Sequence, residues 1–317
     1  MKRELRIVFM GTPEFAVASL DALCLNGFPV VAVVTAPDKP AGRGNLMHQS
    51  AVKKYALEKG IPLLQPEKLR AEDFLNQLRE LHANLFVVVA FRMLPEIVWS
   101  MPELGTFNLH ASLLPQYRGA APINWAVING EKETGVTTFF LQQEIDTGNI
   151  ILQEKIKIED TDNAGTVHDK LMILGADLVV KTANLIANQA VTQLPQNEAG
   201  LSGHELKHAP KIFKDTCKID WNQKAEQIHN LVRGLSPYPA AFTFLDNKSV
   251  KIYASAIRHA GAEEMQRFHL TANIYTDKKT FLSFSCADLF LDILEIQLEG
   301  KKKMKIDEFL RGHKFSQ

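Results

Sequence analysis

Short apolar segments alternate with amphipathic segments through the first 110 residues, and this alternation constrains the fold more than any other feature. The apolar segments are residues 5–10, 29–35, 61–64, 85–90 and 106–110, and helical patterns fill 13–26, 49–59 and 72–81. Alternating strands and helices predict a doubly wound, mostly parallel α/β sheet with right-handed crossovers. Continuous apolar strands such as 29–35 are typical of a sheet covered on both faces.

The pattern continues to about residue 190 and then changes. Residues 135–141 and 150–158 predict strands, 162–187 predicts a helix, and 191–206 collects Gln, Asn, Gly and Ser without periodicity. After a helix at 223–234, short alternating strands are predicted at 241–245, 250–256, 269–276, 280–286 and 288–297. Such a series predicts a small antiparallel barrel, of which the OB-fold is one type. We therefore predict domains at 1–190 and 207–317, joined by a linker at 191–206.

Composition excludes several classes of protein. The 317 residues are 46% hydrophobic and 23% charged, which is typical of a soluble globular protein. No apolar run reaches the roughly 18 residues of a membrane span, and the N-terminus does not resemble a signal peptide, so we expect a cytoplasmic protein without a membrane partner. The three cysteines have neither disulfide nor metal-ligand spacing, and we expect no metal.

Charge is uneven although the total is zero. Residues 1–206 carry 18 basic and 23 acidic side chains, whereas 207–317 carry 18 and 13. A basic second half is compatible with a polyanionic partner, and a solvated surface explains it equally well.

Candidate chemistry begins at the end of the strand 106–110. Asn108 and His110 are two residues apart and therefore share one face of that strand, at its carboxyl end. An amide can donate to a developing oxyanion and an imidazole can move a proton, which suits chemistry on a carbonyl. A hydrogen-bonded structural pair is the alternative. Asp146, in a Gly-containing loop, could likewise simply cap an Asx-turn.

Several segments together resemble the methionyl-tRNA formyltransferases along nearly the whole chain. They are FMGTPEF at 9–15, PDKPAGRG at 37–44, NLHASLLP at 108–115, YRGAAP at 117–122, DTG at 146–148, IDW at 219–221, RGLSPYP at 233–239, GKKKM at 300–304 and FLRG at 309–312. The motifs at 108–115 and 146–148 are shared by folate-dependent formyltransferases in general. The early loop and the C-terminal motifs point to the tRNA enzymes.

The resemblance implies a fold and a reaction. The first domain would be a Rossmann-like catalytic domain that binds folate, and the second an OB-fold-like domain that binds tRNA. The enzyme would transfer the formyl group of 10-formyltetrahydrofolate, a co-substrate, to the α-amino group of methionyl initiator tRNA for translation initiation. The reaction would need no metal. The resemblance also implies a monomer, as is usual in this family.

The resemblance also implies residue roles in catalysis and folate binding. Asn108 would stabilise the oxyanion, His110 would shuttle the proton, and Asp146 would hold the imidazole in one tautomer and favour its cation. The folate-contacting residues would be Ser112, Leu113, Leu114 and Pro115, with Phe91, Arg92 and Met93 near the pterin. The segment 90–95 is one residue shorter than in many relatives. Arg92 could reach folate or RNA, or could face solvent.

The loop at 36–50 would enter the tRNA acceptor stem. Arg43 would be its main contact, because a guanidinium supplies both charge and planar hydrogen bonding. Lys39 lies in the same loop. Lys301, Lys302 and Lys303 would contact phosphates on the outside of the tRNA, or else form a solvated turn.

Two alternative functions share parts of this sequence pattern. A folate-dependent formyltransferase acting on a small amine, such as a nucleotide-linked amino sugar or glycinamide ribonucleotide, would need Asn108, His110 and Asp146 but neither the 36–50 loop nor the basic second domain. A tRNA-binding module without catalysis would not need Asn108, His110 and Asp146 together.

Arg43→Ala tests the role of the early loop. We expect initiator tRNA formylation to fall more than folate binding does, because the loop would contact RNA only. Formylation rate and folate affinity, measured on the same preparations, decide this, and an equal loss of both would contradict the loop assignment.

Overall fold

The computed structural model describes residues 2–41, 46–197, 205–259 and 273–313. Its helices are α1 (Glu14–Leu25), α2 (Ala51–Glu58), α3 (Glu72–Glu80), α4 (Glu96–Trp99), α5 (Pro122–Ile128), α6 (Ala164–Ala187), α7 (Ala225–Leu235) and α8 (Ile306–Gly312), with a 3₁₀ helix at Asp215–Cys217. Its first strands are β1 (Ile7–Gly11), β2 (Val30–Val34), β3 (Lys39–Ala41), β4 (Leu46–His48), β5 (Leu63–Leu64), β6 (Leu85–Val89), β7 (Thr106–His110), β8 (Arg118–Gly119), β9 (Glu133–Phe140) and β10 (Ile150–Lys157). The remaining strands are β11 (His208–Ala209), β12 (Ala241–Leu245), β13 (Lys248–Arg258), β14 (Ile274–Thr276), β15 (Leu282–Ser285), β16 (Phe290–Leu298) and β17 (Met304–Lys305).

The chain divides into two compact units. Unit 1 comprises Met1–Gly119, Thr134–Ile156 and His168–His208, and unit 2 comprises Ala120–Glu133, Lys157–Val167 and Ala209–Gln317. Ala120–Glu133 and Lys157–Val167 thus belong to unit 2 although they precede residue 190 in the sequence. The predicted domain boundaries at 190 and 207 stay predictions.

Unit 1 is built on the sheet β10-β9-β7-β6-β1-β2-β5. Strands β5, β2, β1, β6 and β7 pair in parallel, as the alternating pattern predicts, whereas β7 pairs with β9 in antiparallel orientation. On one face the strands pack with Phe74, Leu75 and Leu78 of α3 in a buried apolar core. The predicted doubly wound, mostly parallel α/β fold is confirmed.

The segment predicted as an irregular loop at 36–45 begins with regular structure. Lys39 of β3 pairs with His48 of β4 in an antiparallel hairpin. At its base Asp38 accepts hydrogen bonds from Lys53 Nζ at 2.6 Å and Gln65 Nε2 at 2.9 Å. The bond from Lys53 holds the pKa of the Asp38 carboxyl below its ordinary value. Sequence patterns missed these strands because hairpin backbone pairing needs no apolar run.

Unit 2 contains a curled antiparallel sheet in the order β12-β13-β16-β15-β14, with β17 added to β16. The register between β13 and β16 shifts around Ala254, and such bulges increase local twist. Ile228, Val232 and Leu235 of α7 fill its apolar core. The predicted OB-fold-like architecture is confirmed, although residues 269–272 of one predicted strand lie outside the described ranges. Within those ranges no helix has the length and apolar character needed to span a bilayer.

Arg233→Met tests a buried polar anchor of unit 2. Arg233 is 8% exposed, and its Nη1 donates to the backbone oxygens of Glu159 at 3.1 Å and Asp162 at 2.9 Å. Leaving the buried Asp162 carbonyl without a donor costs roughly 1–3 kcal/mol, so we expect the free energy of unfolding to fall by about 1–3 kcal/mol. Chemical denaturation measures this.

A matched control is Arg311→Met. Arg311 is exposed and pairs with Asp307 at 3.4 Å within α8. Exposed pairs of this kind contribute under about 1 kcal/mol, so the control should unfold almost as the wild type does. Equal losses in the two variants would contradict the anchoring role of Arg233.

Candidate active site

The predicted catalytic pair lies on β7, between a parallel and an antiparallel neighbour. Asn108 is opposite Val88 of β6 and Phe139 of β9. His110, at the carboxyl end of the strand, is buried, and Asn108 is half-buried. Within the described residues no side-chain hydrogen bond engages the Asn108 amide. Its two N–H groups therefore remain available to a bound group.

The imidazole of His110 faces two different partners. Its Nε2 lies 2.9 Å from the backbone oxygen of Tyr117, and its Nδ1 lies 3.8 Å from Asp146 Oδ2. A carbonyl oxygen accepts only, so Nε2 must carry the hydrogen in this contact. In the neutral ring Nδ1 then holds the lone pair. The Tyr117 carbonyl thus favours the tautomer with hydrogen on Nε2, and the orienting role predicted for Asp146 stays a prediction.

Asp146 is held by a segment distant in sequence. Its Oδ2 accepts a hydrogen bond from the Gly119 backbone N–H at 3.0 Å. This contact differs from a local Asx-turn, because the donor lies 27 residues earlier. The side chain is 13% exposed, so its charge is only partly screened by water. A proton arriving on His110 Nδ1 would create a partly buried ion pair with this carboxylate.

The loop that carries Asp146 has no spare room. Asp146 has φ 55°, an uncommon conformation for a residue with a side chain. Two residues later, a Cβ on Gly148 would lie 1.6 Å from the Phe140 backbone oxygen. The loop therefore requires glycine at 148 and external contacts that hold Asp146 in place.

Gln196 supplies such contacts, and the sequence analysis missed it. Its Nε2 donates to the backbone oxygens of Asp146 and Gly148, each at 2.8 Å. Its Oε1 accepts from Arg118 Nε at 3.0 Å and Nη2 at 2.5 Å. The residue is 4% exposed. No sequence pattern marks it, because it lies in the polar segment predicted as a linker.

The predicted folate loop after β7 is tightly bonded within unit 1. Ser112 Oγ donates to the Gln116 backbone oxygen at 2.7 Å, and Thr137 Oγ1 donates to the Ser112 oxygen at 2.7 Å. Leu114 is buried at 2% exposure, Pro115 is buried, and Leu113 is half-buried. The loop is fixed in shape, and its role in folate binding stays a prediction.

Of the three predicted pterin neighbours, Arg92 has well-defined partners. It donates to the backbone oxygens of Glu67, at 2.9 Å, and of Pro66. Its guanidinium carbon also lies 5.7 Å from the centre of the Phe91 ring. Arg92 is nevertheless exposed, as one of the two interpretations offered by the sequence expects, and a contact with folate or RNA stays a prediction. Met93 is 75% exposed.

The predicted tRNA contacts are spread along the chain. Arg43 lies outside the described residues, and Lys39 is exposed on β3. Lys301, Lys302 and Lys303 are exposed in unit 2, where Lys303 Nζ pairs with Glu295 at 2.8 Å. The pairing neutralises part of the predicted basic cluster.

The free thiols do not resemble activated nucleophiles. Burial raises the pKa of the Cys286 thiol to about 12. Burial also raises the pKa values of Cys24 and Cys217. A thiol with a raised pKa is protonated near neutral pH and therefore a weak nucleophile.

Comparison with known proteins identifies the family of this chain. A sequence model described as formyl transferase matches residues 5–183, and one described as formyl transferase, C-terminal domain, matches residues 211–314. A methionyl-tRNA formyltransferase of Bacteroides fragilis is 56% identical over 98% of this chain and 96% of its own length. That of Parabacteroides distasonis is 56% identical over 99% of this chain and 97% of its own.

Solved structures share the fold at lower identity. The sugar 3N-formyl transferase WlaRD, solved in the presence of dTDP and 5-N-formyl-THF, matches with a TM-score of 0.66 and 22% identity over 95% of this chain and all of that one. The N-formyltransferase from Helicobacter canadensis matches with a TM-score of 0.65 and 21% identity over the same shares.

The chain therefore belongs to the formyl transferase family and is a formyl-transferring enzyme. Within that family it belongs with the methionyl-tRNA formyltransferases, which it matches at 50–56% identity over almost the whole chain. The resemblance stated from the motifs is confirmed.

Gly148→Ala tests the packing of the Asp146 loop. The added Cβ cannot fit beside the Phe140 oxygen, so the loop must move. We expect the free energy of unfolding to fall by about 3 kcal/mol or more and formyl transfer to fall with it. Gly312→Ala is the control, since nothing lies within 4 Å of its Cβ position. Wild-type stability in Gly148→Ala would show that the loop adjusts freely.

Proposed function

We propose that this enzyme transfers the formyl group of 10-formyltetrahydrofolate to the α-amino group of methionyl initiator tRNA, giving N-formylmethionyl-tRNA for translation initiation. The observation that carries the proposal is the identity of 50–56% to methionyl-tRNA formyltransferases across both units. The location would be the cytoplasm, and the enzyme would act as a monomer.

The active groups in this proposal are Asn108, His110 and Asp146. The α-amino group can itself act as the nucleophile, because its pKa of about 8 leaves part of it uncharged at neutral pH. Attack on the formyl carbon places negative charge on the formyl oxygen. The Asn108 amide would donate to that oxygen, and the absence of a side-chain hydrogen bond to it among the described residues supports this role.

His110 would move the proton that the reaction must relocate. As the new C–N bond forms, the attacking nitrogen loses a proton, which Nδ1 would accept with its lone pair. Nδ1 would then return the proton to the departing folate nitrogen while the bond from that nitrogen to the formyl carbon breaks. Asp146 would stabilise the imidazolium in between, and Tyr117 would keep the Nε2 hydrogen in place. No net charge or proton is left on the protein.

Substrate contacts complete the proposal. Ser112, Leu113, Leu114 and Pro115 would shape the folate site, with Phe91, Arg92 and Met93 beside the pterin. Lys39 and Arg43 would contact the acceptor stem, and Lys301, Lys302 and Lys303 would contact phosphates elsewhere on the tRNA. In domain terms, residues 1–190 would be catalytic, 191–206 a linker and 207–317 tRNA-binding.

Formylation of a small amine is the second candidate, because the solved structures with this fold include sugar N-formyltransferases. Their identity of 21–22% supports the shared fold alone. The identity of 50–56% to methionyl-tRNA formyltransferases over almost the whole chain favours a tRNA acceptor over a small one.

One assay separates the candidates. Purified enzyme and labelled 10-formyltetrahydrofolate are incubated with methionyl initiator tRNA, methionyl elongator tRNA or an amino sugar nucleotide. We expect label on the initiator species. Label on the small amine in preference to tRNA would overturn the proposal.

Two variants test the residue roles in the same assay. We expect Asn108→Ala to lower kcat by about 10²–10³, the usual cost of losing one oxyanion donor. His110→Ala should abolish turnover while tRNA affinity stays within about a few-fold, because the proton transfer is lost but the RNA contacts are not. A near-wild-type rate in His110→Ala would show that another group moves the proton.

A further inference from the structure

We propose that Gln196 is a positioning residue for formyl transfer, which together with Arg118 fixes the loop that presents Asp146 to His110. The inference rests on the proposed function, because it concerns the carboxylate assigned there to the imidazolium. Gln196 lies in the segment 191–206, which the sequence predicts only as a polar linker without periodicity.

The amide of Gln196 has every hydrogen-bonding position occupied. Its two N–H groups donate to the Asp146 and Gly148 backbone oxygens, and its oxygen accepts from two nitrogens of Arg118. Arg118 has no acceptor, so it can bond only to the oxygen end of the amide. The guanidinium therefore orients the amide, and the amide in turn points both of its donors at the loop.

The loop needs this support because of its own conformation. A residue held at a sparsely populated φ, such as Asp146 at 55°, persists when surrounding contacts determine it. Gln196 bonds to the carbonyl of Asp146 itself and to that of Gly148, two residues later. Both bonds hold the backbone on the carboxyl side of the strained residue and limit where its carboxylate can lie.

Arg118 links Gln196 to the backbone groups that contact His110 and Asp146. Its backbone neighbours are Tyr117, whose oxygen contacts His110 Nε2, and Gly119, whose N–H contacts Asp146 Oδ2. A shift of the Asp146 loop would therefore disturb the distance of 3.8 Å between the carboxylate and the imidazole. Gln196 bonds to neither reacting side chain directly, so it would act through Asp146.

The test is a double-mutant cycle between Gln196→Met and Asp146→Asn. Methionine resembles glutamine in size but can make none of the four hydrogen bonds. We expect Gln196→Met to lower kcat by about 10–100-fold, as is usual when a group orienting an active-site side chain is lost. KM for both substrates should stay within about threefold, because Gln196 would bind neither substrate.

The cycle separates positioning from general damage. When Gln196→Met is added to Asp146→Asn, kcat should fall by less than about twofold relative to Asp146→Asn alone. The carboxylate that Gln196 positions is already absent there. Steady-state assays, run well below the unfolding temperature of every variant, give these values of kcat and KM. The same 10–100-fold loss in both backgrounds would overturn the inference, as would an unchanged kcat in Gln196→Met alone.

Gln196→Glu tests the donor half of the amide. Glutamate still accepts from Arg118, but at neutral pH it has no hydrogen to give the two carbonyls and places negative charge beside them. We expect a loss of kcat at least as large as in Gln196→Met. Wild-type kcat in Gln196→Glu would show that donation to the loop is not required, which contradicts the proposal.

Asn84→Leu is the matched control. The Asn84 amide also bridges backbone groups, accepting from Arg6 N at 2.8 Å and donating to the Glu4 oxygen at 2.9 Å. It lies just before β6, and therefore at the opposite end of the parallel strands from His110. We expect Asn84→Leu to lower the unfolding temperature while kcat stays within about twofold. An equal loss of kcat in the control would mean that any lost backbone cross-link slows the enzyme.

The outcomes keep the inference distinct from the proposed function. If the wild type formylates no acceptor, or Asp146→Asn retains full kcat, the proposed function or mechanism fails and the inference fails with it. If Asp146→Asn loses activity but Gln196→Met does not, the inference alone is wrong.

Discussion

The site depends on three consecutive residues that bond to its side chains or to the residue that supports them. Tyr117 offers its carbonyl to His110 Nε2, Arg118 bonds to Gln196, and Gly119 donates its N–H to Asp146. The contacts of Tyr117 and Gly119 are made by backbone groups, which cannot change rotamer and therefore fix distances more firmly than mobile side chains do. A proton transfer needs that firmness, because a displacement of about 1 Å can cost 10²-fold in rate.

The sheet explains why these groups meet. Ligand sites of open α/β sheets lie beyond the carboxyl ends of the strands, and His110 ends β7 at that edge. The neighbour β9 runs in the opposite direction, and the chain continues from it into the loop that carries Asp146. Asn108 and His110 thus lie on one strand, whereas Asp146 lies in the loop that follows β9.

Polar side chains in this enzyme often bond to backbone rather than to one another. Arg92 holds carbonyls at residues 66–67, Arg233 holds carbonyls at 159–162, and Gln196 holds those of 146 and 148. In each case the side chain replaces the regular pairing that loops lack, since unpaired buried backbone groups are costly. The long connections near the site can therefore keep one conformation.

The sequence by itself determined the order of the main strands and helices and the two architectures, because these follow from local periodicity. It also placed Asn108 and His110 on one face of a strand, because they are two residues apart. It also pointed to Asp146 through the family motif. Only the tertiary structure decided that Tyr117 sets the imidazole tautomer, that β9 runs antiparallel and that Gln196 supports the loop. Those contacts join residues that are 7 to 78 positions apart in the sequence. A local sequence pattern does not indicate which distant residue a side chain will contact.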